Sequence, residues 1–294
     1  MGGRVQRSLP GPVHILIAIP HGFRPVAGSA LSSQTESKRA LKRLALGEAS
    51  LGNLNRLAPQ QWLHRYHRGQ WITQQEANNG HWIELELHTT GPWHLLNELA
   101  LQHPQLRRVN HQLSDPTDLP MAVSRSLLER ADQFDMVVYL EDDIAIQDRE
   151  LFDKVAFLVE QAGIKYVFMP HRCETKPGLG DVVLSGEPTE ARPQLPWATG
   201  EELQFQWLGS SKSFRRVVNP HAGCFFLTRA QAVATNHYWA RRQWQIPYQW
   251  AGKMEMACTG IFLPIFRMMK IRSDQARCFQ VRHEDCLWQG IPAP

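Results

Sequence analysis

The chain reads as an α/β protein with a mainly parallel central sheet flanked by helices. Two observations predict the strands and a third predicts their arrangement. Val13 to Ile19 and Phe134 to Leu140 are short, largely apolar runs rich in β-branched residues, the pattern of strands buried on both faces. Segments with helical spacing alternate with such runs through residue 169, as they do in layered folds built from parallel strands. With 294 residues, 43% of them hydrophobic, the chain has material for one large domain or two small ones, which excludes a disordered or fibrous protein.

Taken in order, the first strand spans 13–19 and stops at the turn Pro20-His-Gly22. Residues 36–46 predict an amphipathic helix with Ala40, Leu41, Leu44 and Ala45 on one stripe and a basic, solvated face opposite. The polar stretch 47–80 shows no clear period and stays unassigned. Trp82 to Leu87 predicts a strand that ends before Gly91-Pro92, Trp93 to Gln102 a helix, and Leu106 to Val109 a short strand. After the capping turn Pro116 to Pro120, Met121 to Ala131 carries apolar residues at helical spacing and leads into the second buried strand. A helix over 150–161 and a strand over 165–169 follow. The Gly-, Pro- and Ser-rich stretch 174–213 reads as long loops or a small antiparallel excursion. Val217 to Thr228 resumes strand character, a helix begins near Arg229, and no internal repeat is visible.

Composition narrows the function. Lys plus Arg exceed Asp plus Glu by +4 without a clustered basic arm, so a nucleic-acid partner is not expected. No apolar run approaches the roughly 18–20 residues that a transmembrane helix needs, and no secretory leader is recognisable. Five cysteines, at 173, 224, 258, 278 and 286, form no CxxC pair, so the simplest expectation is a reducing, cytoplasmic compartment.

The strongest local signal is Glu141-Asp142-Asp143 directly after the Phe134–Leu140 run. Ligands of parallel sheets sit at the carboxyl ends of strands, so these acids would face a cleft. Three adjacent carboxylates repel one another, and a divalent cation that takes oxygen ligands, Mn²⁺ or Mg²⁺, offsets that cost. The competing reading is a solvated turn that caps the next helix. A second cluster is aromatic: Trp239, Trp244 and Trp250, with Tyr238 and Tyr248 between them, could stack on sugar rings, or each could simply pack in the core.

Phe134-Asp-Met-Val-Val-Tyr-Leu-Glu-Asp-Asp-Ile-Ala-Ile146 resembles the metal-binding motif of nucleotide-sugar-dependent glycosyltransferases of the GT-A fold, a Glu-Asp-Asp variant of the DxD motif. Arg125 precedes Glu141 by sixteen residues, as an arginine does in large inverting families of that fold, although Val-Ser-Arg-Ser stands here in place of Ala-Arg-Asn. Ile19-Pro20-His-Gly-Phe-Arg24-Pro25 is similar to the loop that begins their nucleotide pocket. Asn219-Pro-His-Ala-Gly223 and the strand after it look like the segment bordering sugar and acceptor, and Val281-Arg-His283-Glu-Asp is similar to the late histidine that completes the metal shell.

The resemblance implies one GT-A-like catalytic domain over 1–294, with a nucleotide-binding half (11–148) and an acceptor-binding half (149–294). It implies transfer of a sugar from a nucleotide-sugar donor to a hydroxyl-bearing acceptor such as a carbohydrate. Asp143 and His283 would hold the cation, while Glu141 or Asp142 would reach the ribose or a metal-bound water. Pro20, Arg24 and Arg125 would line the base or diphosphate, since guanidinium groups match phosphate oxygens. Gly223, Trp244 and Trp250 would border the acceptor. An inverting enzyme also needs a carboxylate base, for which Glu255 is the choice, with Glu201, Glu202 and Asp181 behind it. Three other readings stay open: a non-catalytic nucleotide- or carbohydrate-binding protein, a nucleotidyltransferase, and a nucleic-acid binder whose affinity would fall steeply with salt.

Overall fold

A computed structural model of the chain describes residues 13–25, 35–57, 60–77, 80–100, 102–176, 178–184, 200–207, 209–217, 219–249 and 251–284. In chain order the elements are β1 (His14–Pro20), α1 (Arg39–Gly47), α2 (Asn53–Leu57), β2 (Gln60–His67), β3 (Gln70–Ala77), β4 (Trp82–Thr90), β5 (Leu106–His111), α3 (Leu119–Glu129), β6 (Met136–Leu140), β7 (Ile144–Ala145), α4 (Leu151–Ala162) and β8 (Tyr166–Met169). They continue with β9 (His171–Lys176), β10 (Gly180–Leu184), β11 (Glu202–Trp207), β12 (Ser210–Arg216), β13 (Cys224–Thr228), α5 (Arg229–Ala240), α6 (Lys253–Cys258), β14 (Arg267–Ile271) and β15 (Gln280–His283).

The fold is mixed α/β around a five-stranded sheet of order β13-β6-β1-β4-β5. β6, β1, β4 and β5 run parallel, and β13 adds an antiparallel edge beside β6. Every residue of β6 is buried, as are all but the first of β1, which is why both read as unbroken apolar runs. α3 packs on β1, β4 and β6, and α5 on β6 and β13. Two smaller sheets, β10-β9-β15-β7 and β11-β12-β14-β8, and the hairpin β2-β3 complete the described structure.

Three expectations change. The strand over 165–169 forms as β8, but it pairs parallel with β14 in a separate sheet. The helix expected over Trp93 to Gln102 reduces to one 3₁₀ turn, Leu96–Glu98. Its first turn is committed elsewhere: Trp93 O accepts from Phe23 N, and Leu95 N donates to His21 Nε2, so this backbone braces the loop after β1. Finally, α1 forms with a rotated face. Ala40 and Leu44 lie in solvent, while Lys42, Ala45, Leu46 and Ala49 turn inward. The unassigned region resolves into the continuation of α1 through a π-helical turn (Glu48–Gly52), then α2 and the β2-β3 hairpin.

One buried ion pair stiffens the parallel sheet. Glu86, inside β4, is 3% exposed and accepts from both terminal guanidinium nitrogens of Arg130, Nη1 at 3.0 Å and Nη2 at 2.5 Å, with His88 Nε2 standing 3.2 Å away. Burial alone would raise this carboxyl, but the His88 and Arg130 contacts override it and hold the pKa at about 2 against an ordinary 4.5. A depressed carboxylate stabilises the fold above its unfolded pKa, and that contribution is lost as pH falls through the folded one. Roughly 3 kcal/mol should therefore disappear between about pH 4.5 and about pH 2. Urea unfolding over that range is expected to show this slope in the wild type and a shallower one in Arg130→Ala. The variant should also lose about 1.5–3 kcal/mol near neutral pH.

Candidate active site at the carboxyl ends of β1 and β6

β1 and β6 are parallel neighbours, so their carboxyl ends bring Pro20-His21 beside Leu140 and the three acids. Glu141, Asp142 and Asp143 are all buried, at 7%, 5% and 6% exposure. They are not the solvated turn that the bland reading would have them be, and each has a different set of partners.

Asp142 is fully engaged. Its Oδ2 lies 2.5 Å from His21 Nδ1 and its Oδ1 lies 2.7 Å from Lys42 Nζ. Because Leu95 N donates to His21 Nε2 at 3.0 Å, that nitrogen is an acceptor, and Nδ1 carries the hydrogen given to Asp142. Burial works against this carboxylate, yet Lys42 and His21 together hold it well below the usual range.

Asp143 shares Lys42, whose Nζ sits 2.9 Å from Oδ2, while Oδ1 is buried with no hydrogen-bond partner among the described residues. His283 Nε2 stands 3.7 Å from Oδ2. Register explains this approach. β7, which follows the acids at once, pairs antiparallel with β15 so that His283 opposes Ile144, and β9 runs along the other side of β15. β9 brings Glu174, whose Oε1 takes the His283 Nδ1 hydrogen at 2.8 Å, leaving Nε2 turned to Asp143. Burial disfavours the imidazolium, but the Glu174 bond and the Asp143 charge shift His283 upward.

Glu141 faces away from that pair. Its backbone N–H donates to Gly223 O at 2.8 Å, and its carboxylate lies beside Gly223, where an added Cβ would come within 2.7 Å of Oε2. Gly223 also holds φ at +66°, so both the backbone and the space require glycine. Burial, reinforced by the Asp143 charge, raises the Glu141 carboxyl against the opposing influence of Arg172, His283 and Lys42. His221 Nε2 stands 3.8 Å from Oε1, and Cys258 Sγ lies 3.4 Å from His221 Nδ1. Burial pushes the Cys258 thiol well up and the His221 imidazole well down.

The structure thus brings together Pro20, Glu141, Asp142, Asp143, Gly223 and His283 from the residues expected from sequence. Others lie apart. Arg125 is half exposed on α3, pairs with Glu129 at 2.8 Å and stacks 5.6 Å over the Trp244 ring. Arg24 is exposed beyond β1 with its guanidinium 5.4 Å over Trp93. Glu255 sits one turn before Cys258 on α6, partly buried, and its carboxylate makes no hydrogen bond or ion pair among the described residues. The aromatic cluster divides: Trp239 is 1% exposed and donates Nε1–H to Ile261 O, which makes it a core residue, and Trp250 lies outside the described residues. Trp244 is partly buried at the end of α5, in a turn where it and Gln243 both take positive φ.

Sequence reasoning missed Lys42, His21, Glu174 and Cys258. His21 had a local signal, because it directly follows the first strand. Lys42 had a misleading one, because its i+4 and i+7 neighbours Leu46 and Ala49 share its buried face while the apparent apolar stripe pointed elsewhere. Glu174 and Cys258 reach the site only through pairing and packing.

No protein-family model matches the chain, and no curated protein matches it. Among solved structures it is similar to the crystal structure of S. aureus TarS 1–349, with 11% identity and a TM-score of 0.42. The match covers 92% of this chain and 60% of that one, so the chain spans less than two thirds of that structure's length. A likeness of that degree carries neither fold nor activity over to this chain. Among the described residues, no helix is long and apolar enough to cross a membrane.

Proposed function

We propose that the protein is a GT-A-like glycosyltransferase that uses a divalent cation and a nucleotide-sugar donor to glycosylate a hydroxyl-bearing acceptor. The observation that carries this reading is the buried Asp143 carboxylate, whose Oδ1 has no hydrogen-bond partner among the described residues and whose Oδ2 lies 3.7 Å from His283 Nε2. A carboxylate oxygen and an imidazole nitrogen, the latter oriented by a carboxylate on its other side, suit a divalent cation such as Mn²⁺. Asp143 and His283 would hold it. When bound, such a cation supplies Lewis-acid stabilisation of the charge that develops on a leaving diphosphate.

The other residues prepare the cleft. Lys42 bridges two adjacent carboxylates and holds them in place, and His21 fixes Asp142, which leaves Asp142 to orient the site. Pro20 and Arg24, on the loop that leaves β1, border the nucleotide side. Glu255 is the base that takes the acceptor hydroxyl proton, in an inverting transfer, with Trp244 and Gly223 on the acceptor side. The sequence, whose five cysteines form no CxxC pair, suits a cytoplasmic setting.

Thermal unfolding in the presence of UDP-, GDP-, CMP- and dTDP-linked sugars, with and without Mn²⁺, tests the reading. One donor should raise the melting temperature only when the metal is present, because a ligand that binds the native state alone stabilises it. No metal-dependent shift with any donor would overturn the assignment.

A further inference from the structure

We propose that Glu141, His221 and Cys258 form a second metal site, selective for a borderline-soft divalent ion of the zinc type and separate from the Asp143–His283 pair. The three donors come from three parts of the chain: the end of β6, the loop before β13, and the last turn of α6. Their ligand atoms all lie within 4.8 Å of one another, and the residues are 7%, 7% and 0% exposed.

As they stand, these groups satisfy one another only in part: Cys258 Sγ meets His221 Nδ1 at 3.4 Å, and Glu141 is left out. The Glu141 carboxylate receives no hydrogen bond among the described residues, and its 3.8 Å approach to His221 is too long to be one. A buried carboxylate left this way is costly unless a cation faces it. A thiolate and a carboxylate together balance the two charges of the ion, and the imidazole adds a neutral nitrogen. Sulfur and nitrogen ligands favour zinc over the hard cations that suit Asp143. Three protein ligands leave one coordination position open, as in zinc sites that accept a water or a substrate atom.

The donors are also held from behind. Lys270 Nζ donates to His221 O at 2.6 Å, and Ser124 Oγ donates to the carbonyl of Ala257, next to Cys258, at 2.8 Å. The missing side chain at Gly223 leaves room for the Glu141 carboxylate in this position. These restraints keep the three side chains converged, and an ion entering between them would replace the 3.4 Å contact of Cys258 Sγ with His221 Nδ1.

The test uses the full chain, stripped of metal with a chelator and titrated with Co²⁺ as a coloured stand-in for zinc. One equivalent should bind with a near-ultraviolet sulfur-to-cobalt charge-transfer band. The band should vanish in Cys258→Ser and His221→Gln, persist in Asp143→Asn, and be abolished by added Zn²⁺. Absence of the band in the wild type, or its persistence in Cys258→Ser, would overturn the site. Should those variants fail to fold, X-ray absorption of the zinc-loaded wild type decides: a shell of one sulfur with nitrogen and oxygen supports the site, and any other sulfur count refutes it. Donor binding measured with Mn²⁺ is a separate readout, so failure of this site and failure of the glycosyltransferase reading can be told apart.

Discussion

Lys42→Met is expected to destabilise the protein by about 3–5 kcal/mol, the typical cost of removing one partner from a buried ion pair. Its Nζ lies 2.7 Å from one Asp142 oxygen and 2.9 Å from one Asp143 oxygen, and its side chain is 6% exposed. Methionine fills nearly the same volume, so the loss reports charge rather than packing. Without the ammonium, two neighbouring carboxylates face each other in a desolvated pocket. Urea unfolding of Lys42→Met, Asp142→Asn and the double variant forms a cycle in which the double should cost clearly less than the sum. Additive losses would show that Lys42 and Asp142 are not coupled. Mn²⁺ should raise the melting temperature of Lys42→Met more than that of the wild type, since a second cation then replaces the missing one.

The second large effect separates binding from chemistry. On the proposed reading, Asp143→Asn should reduce metal-dependent transfer by about 10²–10³-fold, the range found when one preorganised electrostatic contributor is lost. It should also remove the Mn²⁺-dependent thermal shift given by the donor. Glu255→Gln should instead lower kcat by about 10²–10⁴-fold, the usual share of a general base, with that shift intact. Both variants keep the shape of the side chain they replace. Full transfer by Glu255→Gln would remove the base assignment alone, whereas an unchanged thermal shift in Asp143→Asn would remove the metal site.

The spatial logic behind both predictions is that one short turn serves two directions. Asp142 and Asp143 look toward α1 and β15, and Glu141 looks toward β13 and α6. Asn53 locks this arrangement: its Nδ2 donates to Ala49 O and Ile144 O, and its Oδ1 accepts from Ile146 N at 2.7 Å. The helical segment carrying Lys42 is thereby bound to the strand that leaves the acids. A substitution at Asn53 would reach the site through position rather than contact.

What was legible in the sequence follows from local physics. β1 and β6 declared themselves because strands covered on both faces must be apolar throughout, and α3 and α4 because helices covered on one side repeat at 3.6 residues. The acidic triplet was visible because polar residues that follow a buried strand without a break must emerge at its end. Trp93 to Gln102 misled because helical spacing there competes with hydrogen bonds to the loop after β1, which only the folded chain supplies.

By itself, then, the sequence determined the layered α/β character and the position of the carboxylates at a strand end, while His283 was pointed to only by the family resemblance. The tertiary structure alone decided that Lys42 is buried between two acids, that Glu174 orients His283, and that His221 and Cys258 converge on Glu141. The physical reason is that charge is cheap in water and costly in a protein interior. Whether a lysine or a glutamate is a solvated surface group or half of a buried pair depends on partners that are distant along the chain, here 101 residues from Lys42 to Asp143 and 109 from Glu174 to His283.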